Sequence, residues 1–355
     1  MAITKIPAAG FSDAVNFRNI IINGDMSIAQ RATSVSSISS GTAYDTVDRF
    51  SRNIGSGGTW TISQSTDVPT GQGFAKSLKM DCTTANGSLS SNSEFVLRQN
   101  VEGQNLQYLK KGTSSAESTT LSFWVKSNKT GTYICELVDN DNSRQISQAY
   151  TISSADTWEK KTLTFAGDTT GAFGNDNGNS LTVGWWLVAG SDFTSGTLST
   201  TWTSSTNANR VVGQVNLADS TSNEWYITGV QLEAGTSASE FEFLPTDVTE
   251  NRCRRYYQIG GNCSGRAYST SNGEFYYAFE KQMRSGPSAT LLDGTSIGEK
   301  AGRIHLSGIS GYNITSMTSS NTTTKSINLN LSGSGLTSGS TMGVLGNPIA
   351  FDAEL

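Results

Sequence analysis

Apolar residues return at every second position in stretch after stretch of this chain, and that spacing constrains its fold more than any other feature. A β-strand turns successive side chains to opposite faces, so a run alternating apolar with polar suits a sheet with one buried face. Leu78, Met80 and Cys82 alternate with Ser77, Lys79 and Asp81, and Leu121, Phe123 and Val125 alternate in LSFWVKS. Leu163 and Phe165 share a face in TLTFAG, as do Leu181, Val183, Trp185 and Leu187 in SLTVGWWLVAG. In EWYITGVQLEAG, Trp225 and Ile227 are in phase, and the parity then switches to Val230 and Leu232. Gly229 sits at the switch, where a β-bulge would restore the register. Later, Phe275, Tyr277 and Phe279 alternate, then Ile327, Leu329 and Leu331, then Ile349, Phe351, Ala353 and Leu355. Polar turns such as GNDNGN (174–179) separate these runs. Short strands without intervening helices predict an all-β chain, a jelly-roll β-sandwich followed by a smaller C-terminal β domain.

Composition enters where disorder has to be weighed. Only 15% of the 355 residues are charged, and 14 Phe, 11 Tyr and 7 Trp can supply a core. A disordered chain would carry more charge and fewer rings. All seven Trp lie between Trp60 and Trp225, and the charge-dense stretch 245–255 (PTDVTENRCRR) follows them. Asp247 and Glu250 have the spacing of a helix N-cap and its N3 partner, with arginines toward the far end. The expected layout is an arm at 1–17, a jelly roll at 18–245, a short helical hinge at 246–255 and a β domain at 256–355.

Several function classes lose support. A net charge of −5 and no basic run beyond Arg252, Arg254 and Arg255 argue against nucleic acid. The longest apolar stretch, 185–189, is far short of a bilayer span, and the N-terminus lacks the apolar block of a secretory signal. A soluble chain without a standard signal peptide or membrane insertion is expected. Cys82, Cys135, Cys253 and Cys263 are too scattered for a disulfide framework and read as free thiols, with Cys253 and Cys263 the one pair that could bridge. The single histidine, His305, alternates with Ile304 and Leu306 and points out of a strand; no GxSxG, HExxH, P-loop or dinucleotide motif is present. No enzyme is expected. Acidic residues at strand edges, such as Glu136 and Asp139, read as solvated. No cofactor is expected either, although the loops 139–142 (DNDN) and 175–177 (NDN) offer oxygen ligands of the kind structural calcium takes. Turn-forming Asx residues explain the same loops.

Two tryptophans stand out of phase with their strand cores. Trp124 opposes Leu121, Phe123 and Val125, and Trp186 opposes the Trp185 face. Both are expected to point outward, where a ring covers a subunit interface or stacks against a sugar. The arm at 1–17 reads as a tail or as a segment that orders on a partner, with Ile3, Ile6, Phe11 and Phe17 as anchors.

The stretch NFRNIIINGDMSIAQRAT followed by YDTVDRFS resembles the start of bacteriophage virion proteins. The matching residues are Asn19, Ile21, Asn23, Gly24, Asp25, Met26, Gln30, Arg31, Tyr44, Asp48, Arg49 and Phe50. TLSFWVKS and the stretch 224–245 resemble strands of carbohydrate-binding-module-like jelly rolls. CRRYYQ (253–258) and FEKQMRSGPSATL (279–291) resemble the small β domain that follows in phage tail proteins, and MAITKI is similar to the opening of tail-fibre-like proteins of marine phages. The resemblance implies a structural virion protein, assembled in the host cytoplasm, that acts as a tail fibre or receptor-binding appendage on host surface glycan. It also implies partners among the other virion proteins and a homotrimer. Two other readings stay open: a capsid-surface decoration or connector without a receptor, and a virion-associated polysaccharide-degrading enzyme.

Overall fold

The computed structural model describes residues 17–260, 263–291, 304–306, 313–344 and 349–355. Strand alternation builds two antiparallel sheets in the first part of the chain. One runs β1 (Ser34–Ile38), β4 (Thr59–Ser65), β5 (Ser77–Thr84), β13 (Glu224–Ala234), β7 (Thr119–Ser127), β10 (Glu159–Phe165). The other runs β12 (Thr203–Ser204), β9 (Arg144–Ile152), β8 (Gly131–Asp139), β11 (Asn179–Ala189), β6 (Glu94–Glu102), β3 (Ser51–Gly55), β2 (Gly41–Ala43). Their inner faces supply one core that includes Trp60, Leu78, Met80, Phe95, Phe123, Val125, Phe165, Val183, Trp185, Trp225 and Ile227. Burying each such side chain is worth about 1.5–3 kcal/mol, which holds the two sheets face to face. This is a jelly-roll β-sandwich.

β13 carries the bulge that its parity switch implies. Its register against β7 slips between Thr228 and Gln231, and Gly229 takes φ 62°. A Cβ on Gly229 would lie 2.6 Å from Cζ of Phe74, so the position needs glycine both for its backbone and for its space. The slip leaves Trp225, Ile227, Val230 and Leu232 all buried.

The segment 19–48 fastens onto that bulge. Asn19 Nδ2 donates to the Val230 carbonyl at 3.0 Å, and Asn19 Oδ1 accepts from the backbone N–H groups of Ile21 and Leu232. Val230 N–H in turn donates to the Gly24 carbonyl at 2.9 Å, and a Cβ on Gly24 would run into the Val230 oxygen. Asn23 sits at φ 62°, a left-handed conformation that Asn tolerates better than most residues. Its amide bonds the carbonyls of Ile28 and Asp48 and its oxygen accepts from Ile28 N–H. Asp48 is buried and accepts from both the backbone and the side chain of Gln30. Burial raises its pKa, against the pull of Gln30, Arg31 and Arg49. The motif is thus a backbone-satisfying clasp.

The chain divides between Leu244 and Pro245 into two compact units. The second begins with α2 (Thr246–Arg254). Asp247 does not cap this helix as the spacing predicts. Pro245 is the cap residue, and its carbonyl takes the N–H groups of Val248 and Thr249, which leaves Asp247 inside the first turn. Glu250 pairs instead with Arg254 one turn on, at 2.8 Å. A three-stranded sheet follows, β14 (Tyr257–Gly260), β22 (Ile349–Asp352), β17 (Ser288–Leu291), so the end of the chain occupies a central strand. A second sheet runs β18 (Ile304–Leu306), β21 (Thr341–Val344), β15 (Cys263–Ala267), β16 (Asn272–Ala278), β20 (Ser326–Ser334), β19 (Asn313–Ser320). Phe275, Tyr277, Ile327, Leu329, Leu331 and Phe351 form the core of this smaller β unit. None of the four cysteines is in a disulfide; Cys82, Cys135 and Cys253 are buried and Cys263 is half-buried. Burial pushes the Cys82 and Cys263 thiols up to about 11.

Candidate functional site

The outer face of the six-stranded sheet carries a row of alternating rings and cations. Tyr226 on β13 stands opposite Lys126 on β7 and Lys79 on β5. Lys126 Nζ lies 4.5 Å from the Tyr226 ring centroid and 5.8 Å from that of Trp158, and Lys79 Nζ lies 5.5 Å from Tyr226. Trp158 and Tyr226 meet edge to face at 6.2 Å. Carboxylates brace the row: Asp67 accepts from Lys126 and from Trp158 Nε1 at 2.9 Å, and Glu224 accepts from Lys79 at 2.5 Å and from the Tyr226 hydroxyl at 2.6 Å. Burial works against both carboxylates, but the hydrogen bonds outweigh it and hold their pKa values below the ordinary range. Burial and Glu224 push the Tyr226 phenol up. Trp124 belongs to the next row, between Thr228 on β13 and Lys160 on β10, and like Trp158 is half-buried. Tyr226 is buried, so the rings able to stack on an apolar ligand face are those of half-buried Trp124 and Trp158, with fixed donors and acceptors beside them to hydrogen-bond the ligand's edge.

Trp186 does not join them. It is fully buried, although it points out of its sheet. Segment 190–215, including α1 (Ser191–Thr194), lies over that face of the seven-stranded sheet and packs Phe193 and Val211 with Trp186, Val96 and Ile134. The segment is tied down by Ser147 Oγ donating to the Arg210 carbonyl at 2.6 Å and by Ile134 N–H donating to Gln214 Oε1 at 2.8 Å. Trp186 Nε1 donates to Glu136 Oε2 at 3.0 Å. Arg210 donates twice to the same carboxylate, at 2.8 and 2.7 Å, with its guanidinium 4.9 Å from the Trp186 ring. Glu136 raises the Arg210 pKa despite burial, which lowers it. The expectation of an outward ring fails here because a second layer covers the face.

The acidic loop residues are also committed. Asp139 is buried, accepts from the N–H groups of Asp141 and Asn142, and pairs with Lys111 Nζ at 2.5 Å. Lys111 Nζ reaches Asp168 at 3.0 Å and the carbonyls of Thr170 and Gly171 at 2.9 and 2.8 Å. A lysine ammonium therefore sits among oxygens of residues 139, 168, 170 and 171, and of the loop 139–142 it meets Asp139. At 175–177, Asp176 accepts from Gly178 N–H in a turn. Among the described residues, no group of three or more His, Cys, Asp and Glu side chains gathers in metal-binding geometry. Glu136 and Asp139 are buried and ion-paired rather than solvated, because Arg210 and Lys111 neutralise them. His305 pairs in register with Gly343. Of the proposed anchors, Ile3, Ile6 and Phe11 lie outside the described residues; Phe17 is exposed, with its N–H donating to Glu242.

Sequence reasoning missed Trp158, Tyr226, Lys79 and Lys126. The signal was present: Tyr226 is out of phase with Trp225 and Ile227, and Trp158 has the parity opposite to Leu163 and Phe165. What sequence spacing does not give is the neighbour order β5–β13–β7–β10 that sets them in one row.

No protein-family model matches the chain, and no curated protein matches it. Among solved structures, the enzymatically active domain of tailspike protein 4 of bacteriophage CBA120 aligns at 13% identity and TM-score 0.33, covering 61% of this chain and 21% of that one. The chain thus spans about a fifth of the length of that tailspike. The family 11 carbohydrate-binding module of Clostridium thermocellum, in complex with a β-1,3-1,4-mixed-linked tetrasaccharide, aligns at 10% identity and TM-score 0.27, covering 58% and 99%. TmCBM61 in complex with β-1,4-galactotriose aligns at 10% and 0.31, covering 61% and 99%.

Proposed function

We propose that this chain is a bacteriophage virion protein, a tail fibre or receptor-binding appendage, whose jelly roll contacts host surface glycan through the outer face of its six-stranded sheet. The observation that carries the reading is the half-buried ring of Trp158, set beside Lys126 and buried Tyr226, with half-buried Trp124 in the adjoining row. A pyranose presents an apolar C–H face that such rings accept, while the lysines and carboxylates meet its hydroxyls. The similarity of the Asn19–Phe50 clasp residues to virion proteins supports the setting. On this reading the protein binds without turning over its ligand, works as a homotrimer and joins the particle through residues 1–17.

The test is binding of the labelled full-length protein to an array of bacterial surface polysaccharides. Trp158→Ala and Trp124→Ala should each weaken the strongest signal about tenfold, the loss of one stacked ring. Unchanged binding in both variants would remove this face from the account. Release of reducing ends from the bound glycan would replace adhesion with hydrolysis. Deleting residues 1–17 should abolish incorporation into particles and leave the size of the oligomer intact.

A further inference from the structure

The second unit has an open sheet face of its own. On β15, β16, β20 and β21, the side chains of Ala267, Phe275, Tyr277, Ile327, Leu329, Leu331 and Met342 are buried in the core. Alternation turns Ser264, Arg266, Glu274, Tyr276, Asn328 and Thr341 the other way. Register aligns them: Arg266 faces Glu274 and Thr341, and Tyr276 faces Asn328. These six line an open cavity of about 480 Å³, inside the roughly 300–1,000 Å³ range of small-molecule sites.

Its chemistry is selective. Tyr276 is 60% exposed, more than any other large apolar or aromatic side chain among the described residues. A protein partner would want an apolar centre with few charges, and this face offers one ring among polar groups. A polyanion would want net positive charge, but Arg266 Nε lies 3.5 Å from Glu274 Oε1 and the two cancel. Arg266 only donates, Glu274 only accepts, and Asn328 does both. Sugar hydroxyls, which donate and accept, match that set, and the sugar's C–H face matches the ring.

We propose that this face binds a neutral oligosaccharide chain, with Tyr276 stacked on one residue and Arg266, Glu274 and Asn328 bonded to hydroxyls. It is a second saccharide site, independent of the ring row on the jelly roll. The test is affinity electrophoresis of the full-length chain in gels holding β-1,4-galactan, xylan, mixed-linked β-1,3-1,4-glucan, dextran or mannan. The Trp124→Ala/Trp158→Ala double variant silences the first face. It should still be retarded by at least one of these polysaccharides. Adding Tyr276→Ala should weaken that retardation tenfold or more, while adding Tyr276→Phe should preserve it. No retardation of the double variant by any of the five, or retardation indifferent to Tyr276→Ala, overturns the proposal. A fall in oligomer mass on Tyr276→Ala would also overturn it, by making the face a subunit contact.

Discussion

The two outer faces of the jelly roll use the same ingredients to opposite ends. On the seven-stranded sheet, a ring and a carboxylate (Trp186 and Glu136) are closed under segment 190–215, which contributes the guanidinium of Arg210, with Trp186 fully buried. On the six-stranded sheet, the rings of Trp158 and Tyr226 alternate with Lys126 and Lys79 and are braced by Asp67 and Glu224; Trp158 and Lys126 keep contact with water. Charge–ring contacts therefore say nothing by themselves about function. Under a cover they are a polar joint in the core, and on an open face they are a platform.

The largest effect should come from breaking the covered cluster. Glu136→Ala strips Arg210 and Trp186 Nε1 of their acceptor, and loss of one partner of a buried pair costs about 3–5 kcal/mol. Chemical denaturation should show it as a lower midpoint at unchanged slope. A cost under about 1 kcal/mol would mean that segment 190–215 does not stay closed. Trp186→Ala should cost about 3–5 kcal/mol as a core truncation, whereas Trp158→Ala should cost about 1 kcal/mol or less. Equal costs would erase the distinction between the faces. Lys126→Met should cost no more than about 1 kcal/mol, since Asp67 is partly open to water.

The smallest effect is one of pH. The ordinary values for Asp67 and Glu224 are 3.8 and 4.5, and both are depressed in the folded chain by their lysine and ring partners. The unfolded chain therefore takes up protons first as pH falls. The stability these groups contribute is complete above the ordinary values and is lost as pH drops through the folded ones. The gap in melting temperature between wild type and Lys126→Met should thus shrink below about pH 4. A gap that persists at pH 2.5 would place the Lys126 contribution in ring packing.

Much of the fold was legible in the sequence, because alternation reports directly which side chains share a face. Leu78, Met80 and Cys82, the Leu181–Leu187 set and the parity switch at Gly229 all fall where their spacing put them. The site was legible only by halves. Alternation told that Trp124 and Trp186 leave the core side of their strands, but phase is a local property and cover is not. The cover on Trp186 comes from residues that follow β11 and fold back, held by Gln214 and Ser147. The Asp247 cap failed for a local reason, since Pro245 already supplies the carbonyl that starts the helix. Lys111 gave no sequence signal, because the oxygens around it come from residues 139, 168, 170 and 171.

Oxidative footprinting of the tryptophans, read residue by residue by mass spectrometry, tests the contrast between the faces most directly. In the free protein, Trp124 and Trp158 should react readily and Trp186 should be as protected as Trp60, Trp185 and Trp225, which are all fully buried. Adding the polysaccharide bound most strongly on the array should then slow Trp124 and Trp158 alone. Trp186 reacting as fast as Trp158, or Trp124 and Trp158 reacting at the same rate with glycan bound, would contradict the account.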